Sequence, residues 1–359
     1  MTSHDTALDE LGYGPAVAAL IAAHPSGSAP GRVVRSDRGY AFVQTAGGLH
    51  VAKPATRLVK SADDGGLPVV GDWVLIGGDD SEPLVEVVLE RTTAIARRDP
   101  GHAARMQVLA ANVDVVFITH PLAEPPNLSR IERELALVWD SGAQPVVVLT
   151  KADLSEDVDA AKEAVSGIAF GVDVLTTSAA DGVGLEDVAS YLGHGRTAAL
   201  IGPSGSGKST LVNALAGEDV QETREVRISD GRGRHTTVSR ELITLPDGGL
   251  IIDTPGLRAV GMWDSAEGLA QAFSDIEGLA QGCRFRDCRH EGEPGCAVEA
   301  AVESGDLPER RLTSFRELQA EVAHVNTQIG IRARLEKKRE DKMLARTIKD
   351  FYRQGHGHR

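Results

Sequence analysis

The sequence predicts a multidomain protein: an N-terminal β-barrel, a central α/β domain with a parallel sheet, and a C-terminal helical domain built around a metal site. Three observations carry this. Between Gly31 and about Arg98, short apolar runs are split by Gly, Asp and Pro clusters at close spacing. From about residue 105, continuous apolar runs alternate with helical stretches. After about residue 264 no strand pattern appears, and three cysteines and a histidine crowd into residues 283–296.

A chain of 359 residues corresponds to two or three domains at roughly 150 residues each. Aromatic residues are scarce, at 4%, so Val, Leu, Ile and Ala must fill the cores. The net charge of −14 excludes a protein that coats nucleic acid through an overall basic surface. The charge is uneven, however: residues 331–359 hold ten Lys/Arg against four Asp/Glu. No window approaches the roughly 20 apolar residues of a spanning helix. The N-terminal residues lack the pattern of a signal peptide, and the expected location is the cytoplasm. Three clustered cysteines argue for a metal ligand set in a reducing compartment rather than for disulfides.

Residues 1–30 read as an N-terminal extension with one short helix, around Val17–Ala23. Residues 31–98 suit a five-stranded OB-like barrel, with strands near Arg32–Arg35, Tyr40–Gln44, Leu49–Ala52, Trp73–Ile76 and Leu84–Leu89. In the central domain (99–264), Val113–Thr119, Val146–Thr150, Val172–Thr176, Ala198–Ile201 and Leu250–Ile252 read as buried strands. Ser129 with Glu132 three residues later forms a capping box, opening a helix to about Trp139. In the C-terminal domain (265–330), Phe315, Leu318, Val322, Val325 and Ile329 line one helix face. Residues 331–359 form a basic helical tail.

Gly202-Pro203-Ser204-Gly205-Ser206-Gly207-Lys208-Ser209 matches the phosphate-binding pattern G-x-x-x-x-G-K-[ST], between a strand and a helix starting near Thr210. Glycines let backbone N–H groups turn inward around phosphates, and the helix N-terminus faces the negative charge. Lys208 would reach the β/γ oxygens and Ser209 would hold Mg²⁺. Upstream, Thr150-Lys151-Ala152-Asp153 ends a strand, where loops of such sheets meet their ligand. Asp153 there would accept two hydrogen bonds from guanine N1–H and N2–H₂; adenine offers no such pair. The Lys151 stem would lie along the base and brace the phosphate loop. Ser178-Ala179, after the next strand, would offer a backbone N–H to guanine O6. Downstream, Asp253-Thr-Pro-Gly256 places an Asp for a Mg²⁺-bound water and a Gly N–H for the γ-phosphate. Between lies the segment Ser229–Thr237, in which a Thr hydroxyl would join the Mg²⁺ shell.

Cys283-x₄-Cys288-x-His290-x₅-Cys296 supplies a complete Cys₃His set, the closed pattern of a structural Zn²⁺ site. Arg32, Arg35, Arg38, Tyr40 and Lys53 are the barrel's candidate RNA contacts, and Lys337, Lys338, Arg339, Lys342, Arg346, Lys349 and Arg353 those of the tail.

Base-reading motifs, then phosphate loop, then switches is a permuted order of the guanine-nucleotide set. With the barrel before and the Cys/His cluster after, it closely resembles the RsgA (YjeQ) family of circularly permuted GTPases over about residues 31–330. The resemblance implies an OB domain, a permuted GTPase domain and a zinc domain. It implies a monomer that hydrolyses GTP slowly, binds rRNA, is stimulated by the small ribosomal subunit and acts late in that subunit's maturation. It places the switch threonine at Thr237. After the D-x-P-G motif Leu257 stands where other GTPases carry a catalytic glutamine, and the resemblance assigns the water-orienting role to His235, beside Thr237 and Lys208. Thr150 stands where Asn is usual, so guanine affinity is expected to be modest. The second switch runs into Met262 and Trp263, so γ-phosphate contacts are expected to set the angle of the C-terminal domain. Two other readings stand beside this one. A P-loop ATPase or kinase leaves Asp153, Ser178 and the cysteine cluster unexplained. A non-catalytic, GTP-gated RNA-binding module is favoured by Leu257.

Overall fold

The computed structural model describes residues 6–24, 27–37, 39–61, 65–79, 81–99, 102–217, 240–253 and 266–327. Strands β1 (Ala29–Asp37), β2 (Tyr40–Thr45), β3 (Gly48–Pro54), β4 (Trp73–Asp79) and β5 (Glu82–Val88) lie in the order β1-β2-β3-β5-β4, and β4 pairs back onto β1. This closure makes a five-stranded OB barrel, and all five predicted runs fall on its strands. Inward-facing Val33, Ala41, Val43, Ala52, Val74, Ile76 and Val85 fill it, which is why small aliphatics suffice.

The helix expected near Val17–Ala23 is present as α2 (Pro15–Ala22), and a second short helix, α1 (Thr6–Asp9), precedes it. Leu8 and Leu11 are buried with Val70 and Trp73, and Tyr13 meets the Trp73 ring edge-on at 5.7 Å. The main chain after α1 also receives a hydrogen bond from Arg32, at Leu11 O.

A hairpin of β6 (Ala94–Asp99) and β7 (His102–Ala111) follows. The sequence reading missed it, and the expected 98/99 boundary falls inside it. The central sheet comprises β8 (Val115–Pro121), β9 (Gln144–Thr150), β10 (Asp173–Thr176), β11 (Thr197–Ile201), β12 (Arg240–Thr244) and β13 (Leu250–Asp253), in the order β10-β9-β8-β11-β13-β12. All but β12 pair in parallel. Helices α4 (Leu128–Asp140), α5 (Val158–Ser166), α6 (Leu185–Ala189) and α7 (Lys208–Ala216) follow β8, β9, β10 and β11. A further short helix, α3 (Thr56–Ser61), lies between β3 and β4. Antiparallel β12 joins this sheet to the barrel, through Arg35↔Glu241 and Ser36↔Arg240. β12 begins three residues after Thr237, so the chain that follows the Ser229–Thr237 segment is hydrogen-bonded directly to the barrel.

The expected capping box at Ser129 does not form. Asn127 caps α4 instead, its side chain accepting from Arg130 N at 3.0 Å. Glu132 is fully buried and serves another purpose. Its Oε1 accepts from Arg310 at 3.0 Å and Arg311 at 2.9 Å, while Arg311 also pairs with Asp275 at 2.8 Å. The Arg311 guanidinium stacks on Phe273 at 4.2 Å. Glu132 lies on α4, Phe273 immediately before α9 (Ser274–Ala280), Asp275 on α9, and Arg310 and Arg311 in the helical stretch over 309–327. Gly268 of α8 (Ala266–Ala272) comes so close to α4 that a Cβ there would sit 2.2 Å from Ala136 O. One core runs from Ile131 and Leu135 through Leu269, Phe273, Val298 and Phe315. Residues 266–327 are therefore packed onto α4 through this buried ion cluster and the shared core.

Candidate nucleotide site and metal centre

The sheet's parallel strands deliver the predicted residues to one edge. Ile201 ends β11, and the phosphate loop turns from Gly202 into α7, with φ of 138° at Gly202, 80° at Gly205 and 82° at Gly207. Side chains rarely adopt such φ values. At Gly202 a Cβ would also lie 2.2 Å from Thr119 O, on the neighbouring β8. Lys208 Nζ donates back onto the loop, to Gly202 O at 3.0 Å, Pro203 O at 2.7 Å and Ser206 Oγ at 3.1 Å. Ser204 and Gly205 form the exposed crest, while Ser209 and Thr210 lie in the first turn of α7.

Thr150, the last residue of β9, is buried, and its hydroxyl donates to Ser206 O at 2.6 Å. Thr150 thus joins the end of β9 to the Gly202–Ser209 loop. Lys151 sits in the left-handed region, φ 57° and ψ 42°. This turn lays its stem beside the loop: a Cβ on Gly207 would be 4.0 Å from Lys151 Cε. Asp153 is exposed, and its Oδ1 accepts from the buried Ser178 hydroxyl at 2.7 Å. Backbone bonds Thr177 N to Leu149 O (2.8 Å) and Ala152 N to Thr177 O (3.0 Å) fasten the two base-reading segments together. The Ser178 N–H is taken by Val183 O at 3.0 Å, which leaves Ala179 as the candidate donor to O6.

Asp253 closes β13, whose neighbour is β11, so its backbone reaches the same edge as Gly202. Its side chain, and His235, Thr237 and Gly256, lie outside the described residues, as do Arg38 and the basic tail. Sequence reasoning missed Thr119, a hydroxyl at the end of the apolar run Val115–Ile118, bonded to Ser206 Oγ at 2.8 Å. The available signal was a polar residue, one strand from the loop, in a strand otherwise buried and apolar.

The four cysteine and histidine ligand atoms lie within 4.8 Å of one another. Cys283 Sγ is 4.0 Å from Cys296 Sγ and 3.7 Å from His290 Nδ1, and His290 Nδ1 is 3.3 Å from Cys296 Sγ. A tetrahedral Zn²⁺ with bonds near 2.3 Å separates its ligands by about 3.8 Å, so the donor set and its spacing fit zinc. His290 reaches in from a left-handed turn (φ 62°), and Cys296 caps α10 (Ala297–Ser304). Burial pushes the Cys283 thiol up, but N–H donors from Ala297 and Val298 together with the Cys288 and Cys296 thiols hold it below its usual value. Glu293 closes the intervening loop, accepting from Arg289 N at 2.8 Å and Glu291 N at 2.6 Å. These donors lower its carboxyl to about 2. The His290 ring stands 6.4 Å from Phe315, which meets Phe273 at 5.4 Å, so the cluster is tied to the core around Glu132.

A protein of Streptomyces coelicolor named small ribosomal subunit biogenesis GTPase RsgA is 46% identical over 95% of this chain and 93% of its own length. A Syntrophotalea carbinolica protein of the same name is 41% identical over 91% and 92%. The profile of the RsgA GTPase family matches residues 88–263. The chain belongs to the RsgA family. Among solved structures, YjeQ from Thermotoga maritima superposes with a TM-score of 0.60 at 26% identity, covering 83% of this chain and 99% of that one. YloQ, a circularly permuted GTPase, gives 0.58 at 26% identity, covering 84% and 97%. In this chain β9 and β10, which carry the candidate base-reading segments, precede β11, which leads into the candidate phosphate loop.

The barrel's candidate RNA contacts separate into two groups. Arg32 is only 2% exposed and cannot meet RNA. It donates to Leu11 O, Gly71 O, Asn112 O and Thr197 Oγ1, fastening the N-terminal helices, the barrel and the central sheet. Burial lowers its guanidinium to about 10, still charged at neutral pH. Arg35 stacks over Phe42 at 3.7 Å, and Lys53 lies 5.6 Å from the ring of the exposed Tyr40. Arg35, Phe42 and Val51 are register partners across β1, β2 and β3.

Proposed function

We propose that this chain hydrolyses GTP to GDP and phosphate during late maturation of the small ribosomal subunit, stimulated by the subunit. The observation that carries this reading is the joining of Thr150 to Ser206 and of Asp153 to Ser178 at one sheet edge. Two base-reading segments and a phosphate loop meet there, in a chain matching most of the length of relatives bearing that name. Asp153 accepts from guanine N1–H and N2–H₂, and Ala179 N–H donates to O6. The backbone of Gly202–Ser209, with Lys208 and Thr210, surrounds the phosphates. Ser209 and Thr237 would hold Mg²⁺, with Asp253 acting through a water, and the ion would supply neutralisation of phosphate charge. Gly256 N–H contacts the γ-phosphate, and His235 orients the attacking water, because Leu257 is apolar and cannot. Leu257 also favours the second reading, a GTP-gated RNA-binding module with negligible turnover.

The Cys₃His cluster holds one structural Zn²⁺, with no position left for a reacting water. The barrel face of Arg35, Tyr40, Phe42 and Lys53 and the basic tail contact rRNA, aromatic rings offering stacking and cations pairing with phosphates. The protein acts as a monomer in the cytoplasm; no described helix is long and apolar enough to cross a membrane. Sedimentation with purified small subunits tests the partner. Co-sedimentation with a non-hydrolysable GTP analogue and release with GDP support the reading. Absence of co-sedimentation in both states contradicts it.

A further inference from the structure

Thr119 is the one hydroxyl in the buried stretch Val115–Thr119. It shares a face of β8 with Val115 and Phe117, which pack against Leu211 and Val212 of α7, so it faces the underside of the phosphate loop. Donor and acceptor roles there follow from chemistry. Lys208 can only donate, and does so to Ser206 Oγ at 3.1 Å. Thr119 Oγ1 donates to Ile201 O at 2.9 Å. Its hydrogen is thereby used, so the 2.8 Å contact is donated by Ser206 Oγ to Thr119 Oγ1. The result is a directed chain, Lys208 to Ser206 to Thr119 to the Ile201 carbonyl, with both hydroxyl residues buried.

Ser206 is held from a second side as well, its carbonyl accepting from Thr150. In a trans peptide the C=O and the following N–H point in opposite directions. A Ser206 carbonyl pulled outward toward β9 therefore aims the Gly207 N–H into the loop. Thr119 fixes the side chain and Thr150 the peptide plane of the same residue.

We propose that Thr119 is a positioning residue for phosphate binding, acting through Ser206 to set both Lys208 and the Gly207 N–H. The proposal rests on the reading of Gly202–Ser209 as the nucleotide's phosphate site. Thr119→Val keeps the shape and removes the hydroxyl, leaving Ser206 Oγ–H without its acceptor and the Ile201 carbonyl without this donor. Thr119→Ser restores the hydroxyl.

The experiment is calorimetric GDP binding to the full chain, for the unaltered protein, Thr119→Val, Thr119→Ser, Ser206→Ala and the Thr119→Val/Ser206→Ala double variant. Melting temperature is read for each with and without GDP. The expected result is a roughly tenfold weaker Kd for Thr119→Val, near one hydrogen bond's worth. Thr119→Ser regains most of it. The double variant should be no weaker than the weaker single one, because both remove the same link. A merely structural role would lower melting temperature while leaving Kd unchanged, and that outcome overturns the proposal. Additive losses in the double variant overturn it too. If Thr119→Val does not fold, the Ser206→Ala Kd decides: unchanged binding overturns the proposal. An unaltered protein that fails to bind GDP overturns the nucleotide reading itself, which separates the two failures.

Discussion

Thr150 and Ser206, 56 residues apart in sequence, are joined by a hydrogen bond of 2.6 Å from the threonine hydroxyl to the serine carbonyl. This bond links the end of β9 to a loop that comes two strands later, after β11. A shorter side chain than Asn spans the gap because β9 brings Thr150 directly against the loop at Gly207, 3.6 Å from a Cβ placed there.

Replacing Thr150 by Val removes this bond and leaves Ser206 O short of a donor. GDP affinity should fall about tenfold, with a stability loss of about 1 kcal/mol. Titration calorimetry and a denaturant midpoint measure the two effects separately.

On the proposed reading Asp153 accepts from two guanine donors, and Asp153→Asn replaces one of its acceptor oxygens by an NH₂ group that can only donate. The preference for GDP over ADP should drop by about 100-fold or more, while loop-dependent phosphate contacts persist. Competition binding with both nucleotides reads the ratio. An unchanged ratio would mean that another residue discriminates the base.

Arg311→Ala removes the partner that Glu132 and Asp275 share inside the core. Among the described residues Glu132 Oε2 has no hydrogen-bond partner, so loss of Arg311 leaves a buried carboxylate with Arg310 as its remaining described partner. The expected cost is about 3–5 kcal/mol, read as a fall in unfolding midpoint.

Removing zinc by a strong chelator, or Cys283→Ser, should release residues 283–296, since they lack an apolar core of their own. Proteolytic cleavage within that segment should accelerate markedly, and elemental analysis of the untreated protein should give one zinc per chain. The Glu293 carboxyl sits at about 2 rather than its usual 4.5. A lowered folded value stabilises above the unfolded one and is lost as pH falls through the folded value. The penalty of Glu293→Gln should therefore be constant from pH 8 to about 4.5 and shrink below. A penalty that changes with pH between 6 and 8 would contradict the hydrogen-bond assignment.

Strand periodicity and loop motifs made much of this legible in the sequence. The barrel strands were marked by Gly and Pro clusters, and β8, β9, β11 and β13 by apolar runs. The phosphate loop and the Cys₃His set carry their chemistry in fixed local spacings. What stayed hidden depends on partners distant in sequence. Ser129 and Glu132 satisfy the spacing of a capping box, yet burial against Arg310 and Arg311, 178 and 179 residues away, claimed Glu132. Arg32 looks like any surface arginine of a barrel until four acceptors enclose it. Thr119 shows no motif at all, because its partner Ser206 lies 87 residues further on.

The most direct test of the central claim is phosphate release from GTP and from ATP, each with and without purified small ribosomal subunits. The account predicts slow turnover of GTP alone, a many-fold rise with subunits, and little turnover of ATP under either condition. Turnover indifferent to subunits, or faster with ATP than with GTP, would contradict it.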